Sequence, residues 1–219
     1  MSSIHTVIQH HPHRADMLPP LIEALGNLEP VVVTDPGWGE ERGTWNAWRS
    51  FHACLEACPD HCGHLLIIQD DATPCPGFDN AARTALAVRP ESIVCFYVGG
   101  GRVGDPLVQA AFERCARWAP LNRDLWVPLV ATAFPRGLVT ELLEWAKTEP
   151  YTKRAKGDDA VLGRFMRDKG ITAWATIPNL VQHEDMVPSI MRRTHPRGMD
   201  RNRTAVCWIG DEDVGSLQW

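Results

Sequence analysis

Short apolar runs alternate with stretches of helical spacing along most of the chain. That alternation constrains the fold more than any other feature, because it is the pattern of an α/β domain. HTVIQH (5–10) reads as a first strand and PVVVTD (30–35) as a second. Between them LPPLIEALGNL (18–28) places Leu18, Leu21, Ile22, Leu25 and Leu28 on one helical face, with Pro19 and Pro20 tolerable only in its first turn. GTWNAWRSFHACLEA (43–57) aligns Trp45, Trp48, His52 and Leu55, and Pro59 stops it. HLLIIQ (64–69) and SIVCFYV (92–98) are further strands.

The second half repeats the alternation. DPLVQAAFERCARWAP (105–120) predicts a helix capped by Asp105 and ended by Pro120, with Val108, Ala111, Phe112 and Cys115 inward. LWVPLVATAF (125–134) is strand-like, Pro128 suggesting an edge or bulge. RGLVTELLEWAK (136–147) is helical. DDAVLGRFMRDKG (158–170) is a helix with Val161, Leu162, Phe165 and Met166 inward and Gly170 past its end. ITAWATIP (171–178) returns as a strand, and the last forty residues are irregular and basic. There is no internal repeat and no obvious linker. At 219 residues the chain suffices for one domain with a substantial core.

Composition narrows the function classes. A net charge of −5 gives no global attraction to nucleic acid or an anionic membrane. Between Met186 and Ala205, however, five arginines (192, 193, 197, 201 and 203) face one acid, Asp200. No apolar run approaches the ~20 residues that span a bilayer. The N-terminal MSSIHTVIQHH has no basic segment followed by an apolar one, so no secretory signal is expected. Seven cysteines cannot all pair internally, which points to a reducing cytoplasm. Cys54, Cys58 and Cys62, with His61 and His64 nearby, raise the possibility of zinc, but the spacing is not a pair of C-x-x-C hooks. Free thiols packed on or near a helix are the expectation.

The chemistry concentrates at three element ends, where open α/β sheets bind ligands. Asp70 and Asp71 follow a buried strand, Asp158 and Asp159 open a helix, and His183 follows the last strand. Taken singly, each has a plain explanation as a cap, a turn or a surface residue. Taken together, they suit a hard divalent cation, which prefers oxygen ligands, tolerates imidazole and commonly bridges carboxylates to nucleotide phosphates.

LLIIQDDATPCPGF resembles the metal-binding aspartate motif of GT-A fold glycosyltransferases, which use nucleotide sugars. GDDAVLGRFMRDKGITAWATIPNLVQHED resembles that family's second half, about 110 residues further on, and the likeness covers most of residues 4 to 190. The resemblance implies a single GT-A, Rossmann-like domain over 1–219 with a mixed, mostly parallel sheet flanked by helices. About 1–100 would form the nucleotide-sugar half, about 101–190 the acceptor and catalytic half, and 191–219 a basic C-terminal tail. It implies Mn²⁺ or Mg²⁺ on Asp71 and His183, Asp70 as helper, and Gln69 in place of the usual ribose-facing acid. It implies Asp159 as catalytic base with Asp158 its neighbour.

Charge developing on a leaving diphosphate needs neutralising, and Arg192 or Arg193 can add hydrogen bonds to it. Arg14 can reach phosphate or base, and Asp35, ending the second strand, can accept from a uracil or a ribose hydroxyl; a UDP-linked donor is expected. Either residue is equally a turn or a cap. The other histidines of HHPH are expected to be solvated. Trp38, Trp45 and Trp48 can stack on a base or sugar, though Trp45 and Trp48 suit a core stripe. HPHR, QDD and LVQH, with the small size, are also similar to phage-encoded glycosyltransferases that modify hydroxymethylated pyrimidines in DNA. MRRTHPRGMDRNR supplies what a phosphate backbone needs, with Arg197, Arg201 and Arg203 as contacts. The acceptor is thus such DNA or, alternatively, a protein or cell-surface glycan. Two other classes remain: a metal-dependent nucleotidyltransferase and a non-enzymatic zinc-stabilised binding module.

Overall fold

A computed structural model describes residues 3–38, 46–99, 106–121, 129–155, 157–183 and 204–210, together with 212, 214, 217 and 219. In chain order the strands and helices are β1 (Ile4–His10), α1 (Leu18–Ala24), β2 (Val31–Thr34), α2 (Ala47–Glu56), β3 (His64–Gln69), β4 (Ala72–Pro74), α3 (Phe78–Val88) and β5 (Ile93–Cys95). They continue with α4 (Pro106–Glu113), β6 (Trp118–Pro120), β7 (Ala131–Pro135), α5 (Arg136–Thr148), α6 (Asp158–Lys169), β8 (Ala173–Thr176) and β9 (Val181–His183).

Among the described residues, the main sheet has seven strands in the order β2-β1-β3-β7-β5-β8-β6, and β4 and β9 form a separate ribbon. β1 pairs in parallel with both β2 and β3, and parallel neighbours need crossovers, here through α1 and α2. β7 enters antiparallel between β3 and β5, and β6 closes the far edge antiparallel to β8. Five strands therefore run one way and two the other, the mixed, mostly parallel α/β sheet that the sequence predicts.

Helices cover both faces, so β1 and β3 are buried on both sides and read as nearly continuous apolar runs. Val7, Leu65 and Ile67 point to one face and pack with Phe51 and Leu55 of α2, Leu142 of α5 and Phe165 of α6. Ile8, Leu66 and Ile68 point to the other and pack with Leu21 of α1, Phe78 and Leu86 of α3, and Ala72 and Val181 of the ribbon.

Several elements differ from the sequence-based expectation. The helix predicted to reach Pro120 stops at Glu113, and Trp118–Pro120 instead pairs with β8 as an edge strand. Cys115 has φ 54, a left-handed turn that ends helical geometry, and Phe112 and Cys115 face outward. β7 is central rather than an edge; Pro128, the reason for expecting an edge or bulge, lies outside the described residues, as does Asp105. α2 presents Trp48, Phe51, Cys54 and Leu55 to the core, leaving His52 half-exposed against Glu56, while Trp45 lies outside the described residues. α1 stops at Ala24, a 3-10 turn (Gly26–Leu28) follows, and Ile22 is exposed.

Residues 206–209, within the region expected as an irregular tail, are bonded to the rest of the domain. Val206 donates its backbone N–H to Val98 O, Asn179 to Cys207 O, and Ile209 to Asn179 O.

Candidate functional site

The strand order places β1 between β2 and β3, with its successive crossovers leaving on opposite sides. Such a switch point opens a crevice at the carboxyl ends of the strands, the usual ligand position in α/β sheets. Gln9 and His10 end β1 there, and Gln69 and Asp70 lie beside them at the end of β3.

Alternation along the strands sorts the polar residues between the two faces. On the face of Ile8 and Ile68, Asp70 accepts the His11 N–H at 2.6 Å, contacts His10 Nδ1 at 3.1 Å and accepts from Arg14 Nη1 at 2.9 Å. The same Arg14 Nη1 donates to Asp71 Oδ2 at 2.5 Å. Asp71 Oδ2 also lies 3.2 Å from His183 Nε2. Asp70, Asp71, Arg14 and His183 are all buried.

Local pairing explains this meeting of residues distant in sequence. Asp70 donates its backbone N–H to Gln9 O, ending β3, and the chain turns into β4. β4 pairs antiparallel with β9 with Ala72 opposite His183, which brings the imidazole beside Asp71. β9 is held in turn by the N–H groups of Leu180 and Val181, both donating to Phe96 O.

The two carboxylates respond differently. Burial drives the Asp70 carboxyl up, outweighing the His11 N–H and Arg14, and the charge of Asp71 adds to the rise. Burial also acts on Asp71, but His183 and Arg14 outweigh it and hold that carboxyl below its ordinary value.

On the opposite face, Gln69 Nε2 donates to Gln9 Oε1 at 3.4 Å, and Gln9 Nε2 donates to Asp158 Oδ2 at 3.4 Å and Ala47 O at 3.2 Å. Asp158 is the first residue of α6, behind Gly157, and is buried. Its Oδ1 accepts the Asp159 N–H at 2.9 Å. Burial, then the neighbouring Asp159 charge, pushes the Asp158 carboxyl up to about 6. Asp159 is half-exposed and accepts the Ala160 N–H at 2.7 Å.

Asp35 is placed at the same sheet edge, but its carboxylate is engaged by the protein. Arg49 clamps it through Nε at 2.5 Å and Nη2 at 2.9 Å, and the Gly37 and Asn46 N–H groups donate at 3.1 Å each. Burial raises its carboxyl, but Arg49 and the two N–H groups prevail and hold it below the ordinary value. The cap-like alternative for Asp35 therefore describes its contacts.

Sequence reasoning missed Gln9, His10 and His11. His10 and His11 are buried rather than solvated; burial, then repulsion from His13 and Arg14, lowers the His11 imidazole to about 4. Polar residues ending a strand buried on both faces were the signal that could have found them. His11 and His13 also meet Trp38, with ring centroids 4.6 and 5.2 Å from it, whereas Trp48 is core. Arg192, Arg193, Arg197, Arg201 and Arg203 lie outside the described residues.

Among the described residues, no group of three or more His, Cys, Asp or Glu side chains is disposed to hold a metal. Cys58 and Cys62 meet at Sγ–Sγ 3.1 Å, and Cys54, Cys58 and Cys62 are all buried free thiols. Asp71 and His183 are of the residue types that ligate a divalent ion. Asp71 Oδ1 is buried with no hydrogen-bond partner among the described residues.

No family model and no curated protein matches the sequence. Among solved structures, the chain is similar to the crystal structure of A197 from STIV, with TM-score 0.50 and 14% identity, over 83% of this chain and 84% of that one. At that identity the likeness speaks to the fold alone, and the chain is a single Rossmann-like α/β domain.

Proposed function

We propose that the protein is a metal-dependent glycosyltransferase that moves a sugar from a nucleotide diphosphate sugar, UDP-linked in the first instance, to a hydroxyl acceptor. The observation that carries this reading is the meeting of Asp71 with His183 at the sheet's switch point. The resemblance of their two sequence motifs to those of GT-A glycosyltransferases supports it further.

Charge supports the need for a cation. Asp70, Asp71 and Arg14 sum to −1 within one buried cluster, whose His10 and His183 imidazoles add charge only when protonated. A diphosphate would be repelled there unless positive charge accompanied it. Asp71 and His183 are the residues that would hold Mn²⁺ or Mg²⁺. Bound there, the ion would act as a Lewis acid, neutralising charge on the leaving diphosphate.

The chain's own residues have separate tasks in this reading. Asp70, fixed by His10, the His11 N–H and Arg14, orients the turn that carries Asp71. Asp158, buried against Gln9, anchors the first turn of α6 and so presents the half-exposed Asp159. Asp159 takes the proton of the attacking hydroxyl, a role that typically contributes about 10²–10⁴-fold. Gln69, bonded to Gln9, faces the donor's ribose, and Arg192 and Arg193 contact its phosphates. The acceptor is 5-hydroxymethylpyrimidine in DNA, held by Arg197, Arg201 and Arg203, or alternatively a protein or cell-surface glycan.

A panel of nucleotide sugars, incubated with Mn²⁺ and with DNA or glycan acceptors, tests this. Release of nucleoside diphosphate with the sugar on the acceptor supports it. Pyrophosphate release or nucleotide transfer would replace it with nucleotidyl transfer. One tightly held zinc, with no turnover, would replace it with a binding module.

A further inference from the structure

Arg14 occupies an unusual position for a phosphate-binding arginine. It is buried, and one nitrogen, Nη1, bridges Asp70 and Asp71. Its Nε is buried with no hydrogen-bond partner among the described residues. On the other side of the same ion pair, Asp71 Oδ1 is also buried without one among those residues. A donor and an acceptor left open on two joined residues each carry a desolvation cost. The ligand that satisfies both presents an anion to Arg14 and a cation to Asp71, which is the chemistry of a divalent metal diphosphate.

The two aspartates are not equivalent partners for Arg14. Asp70 retains the His11 N–H and His10 if Arg14 leaves, so its burial stays compensated. Asp71 then keeps His183 beside it, and balancing its charge requires another cation. Arg14 itself sits in a short 3-10 turn (Pro12–Met17) whose helical geometry breaks at that residue, with φ −120 and ψ 28. The backbone there is not held in a continuous helix.

We propose that Arg14 is an internal counter-cation that competes with the divalent ion for Asp71 and transfers to the diphosphate when the ion binds. This rests on the metal-dependent reading above and adds a cause for coupling within it. Metal alone must displace a guanidinium from a buried carboxylate. Diphosphate alone meets a guanidinium already neutralised by Asp70 and Asp71. When both bind, the ion takes Asp71 and the anion takes Arg14, so each ligand removes the obstacle to the other. Arg14 is thus a positioning residue whose resting contact sets the synergy of two ligands.

Calorimetric titration of the full chain with Mn²⁺ alone, with inorganic diphosphate alone and with both tests this without any sugar substrate. In the wild type, diphosphate should tighten Mn²⁺ binding by about tenfold or more, within the usual range of coupling energies. Arg14→Gln removes the competitor, so Mn²⁺ alone should bind about tenfold more tightly than in the wild type, and diphosphate should add little. Arg14→Lys keeps a cation beside Asp71 and should keep Mn²⁺ alone weak. A merely structural Arg14 would not strengthen metal binding when removed. Equal or weaker Mn²⁺ binding by folded Arg14→Gln would overturn the proposal, as would wild-type binding of Mn²⁺ that diphosphate leaves unchanged. If circular dichroism shows Arg14→Gln unfolded, the wild-type and Arg14→Lys titrations decide. Failure of the glycosyltransferase reading would show separately, as intact Mn²⁺–diphosphate synergy with no sugar transferred.

Discussion

Gln9 and Gln69 are register partners on β1 and β3, and their side-chain amides are joined, Gln69 Nε2 donating to Gln9 Oε1 at 3.4 Å. Through Gln9 the pair reaches Asp158 on one face, while the next residue of each strand end, His10 and Asp70, meets on the other. The two acidic pairs are therefore held on opposite faces of one sheet edge by neighbouring residues of the same two strands.

Asp158 should make stability depend on pH. Its carboxyl is raised from 3.8 to about 6 by burial and by Asp159. A raised aspartate stabilises the fold fully below its unfolded pKa, and that contribution is lost as pH rises through the folded value. The sensitive window is therefore about pH 4 to 6. Asp158→Asn should be more stable than the wild type at about pH 7.5, by about 1–3 kcal/mol, and nearly equal at about pH 4. Urea unfolding at the two pH values checks this. A stability difference that does not change with pH would remove Asp158 as the cause.

The Asp35–Arg49 pair should behave in the opposite sense. Asp35 is held below its ordinary value, so its stabilisation is present above about pH 4 and lost as pH falls through the lower folded value. Arg49→Met leaves a buried carboxylate with two N–H donors. With the Arg49 side chain 27% exposed, about 2 kcal/mol is expected, below the roughly 3–5 kcal/mol of a fully buried pair. The effect should shrink in acid. A variant equally destabilised at about pH 3 would contradict this assignment.

Donor binding should be metal-coupled, and the acidic pairs should separate by role. UDP with Mn²⁺ should raise thermal stability, by about 2.7 kcal/mol at a hundred times Kd, and UDP with EDTA should not. Asp71→Ala should abolish that difference. Asp159→Ala should preserve it but lower turnover about 10²–10⁴-fold, because a base acts only in the chemical step. Wild-type turnover by Asp159→Ala would place the base elsewhere.

Neutralising Arg197, Arg201 and Arg203 should weaken DNA binding across sequences and flatten its salt dependence, by about one unit of slope for each phosphate no longer neutralised. Hydrolysis of the nucleotide sugar should be unaffected, whereas removing the charges of Arg192 and Arg193 should impair donor use. Titrations at two salt concentrations with hydroxymethylcytosine DNA and unmodified DNA provide the comparison. Absence of DNA binding at low salt would favour the glycan acceptor.

The framework is legible in the sequence wherever one local signal suffices. HLLIIQ has the bounds of β3 because it is apolar on both faces, and α6 ends at Gly170, which adopts φ 68. Residues 114–120 mislead because helical spacing continues past Glu113, while the edge pairing of Trp118 with Thr176 has no local signature. The acidic pairs and His183 stand out through their order in the chain. The burial of His10 and His11 does not, because it depends on Asp70 arriving from 60 and 59 residues away. The engagement of Asp35 depends likewise on Arg49, in the helix that follows.

Gln182 has a consequence for how such a protein can diversify. Its Oε1 accepts the N–H of both His183 and Ala205, so these two residues are held at one side chain, and His183 in turn meets Asp71. Closing a longer connection between two fixed points costs only about 0.6 kcal/mol per doubling of length. The number of residues between His183 and Ala205 can therefore change between descendants with little penalty to the sheet edge. New acceptors could be acquired in that interval so long as the charges of Arg192 and Arg193, which serve the donor, are kept.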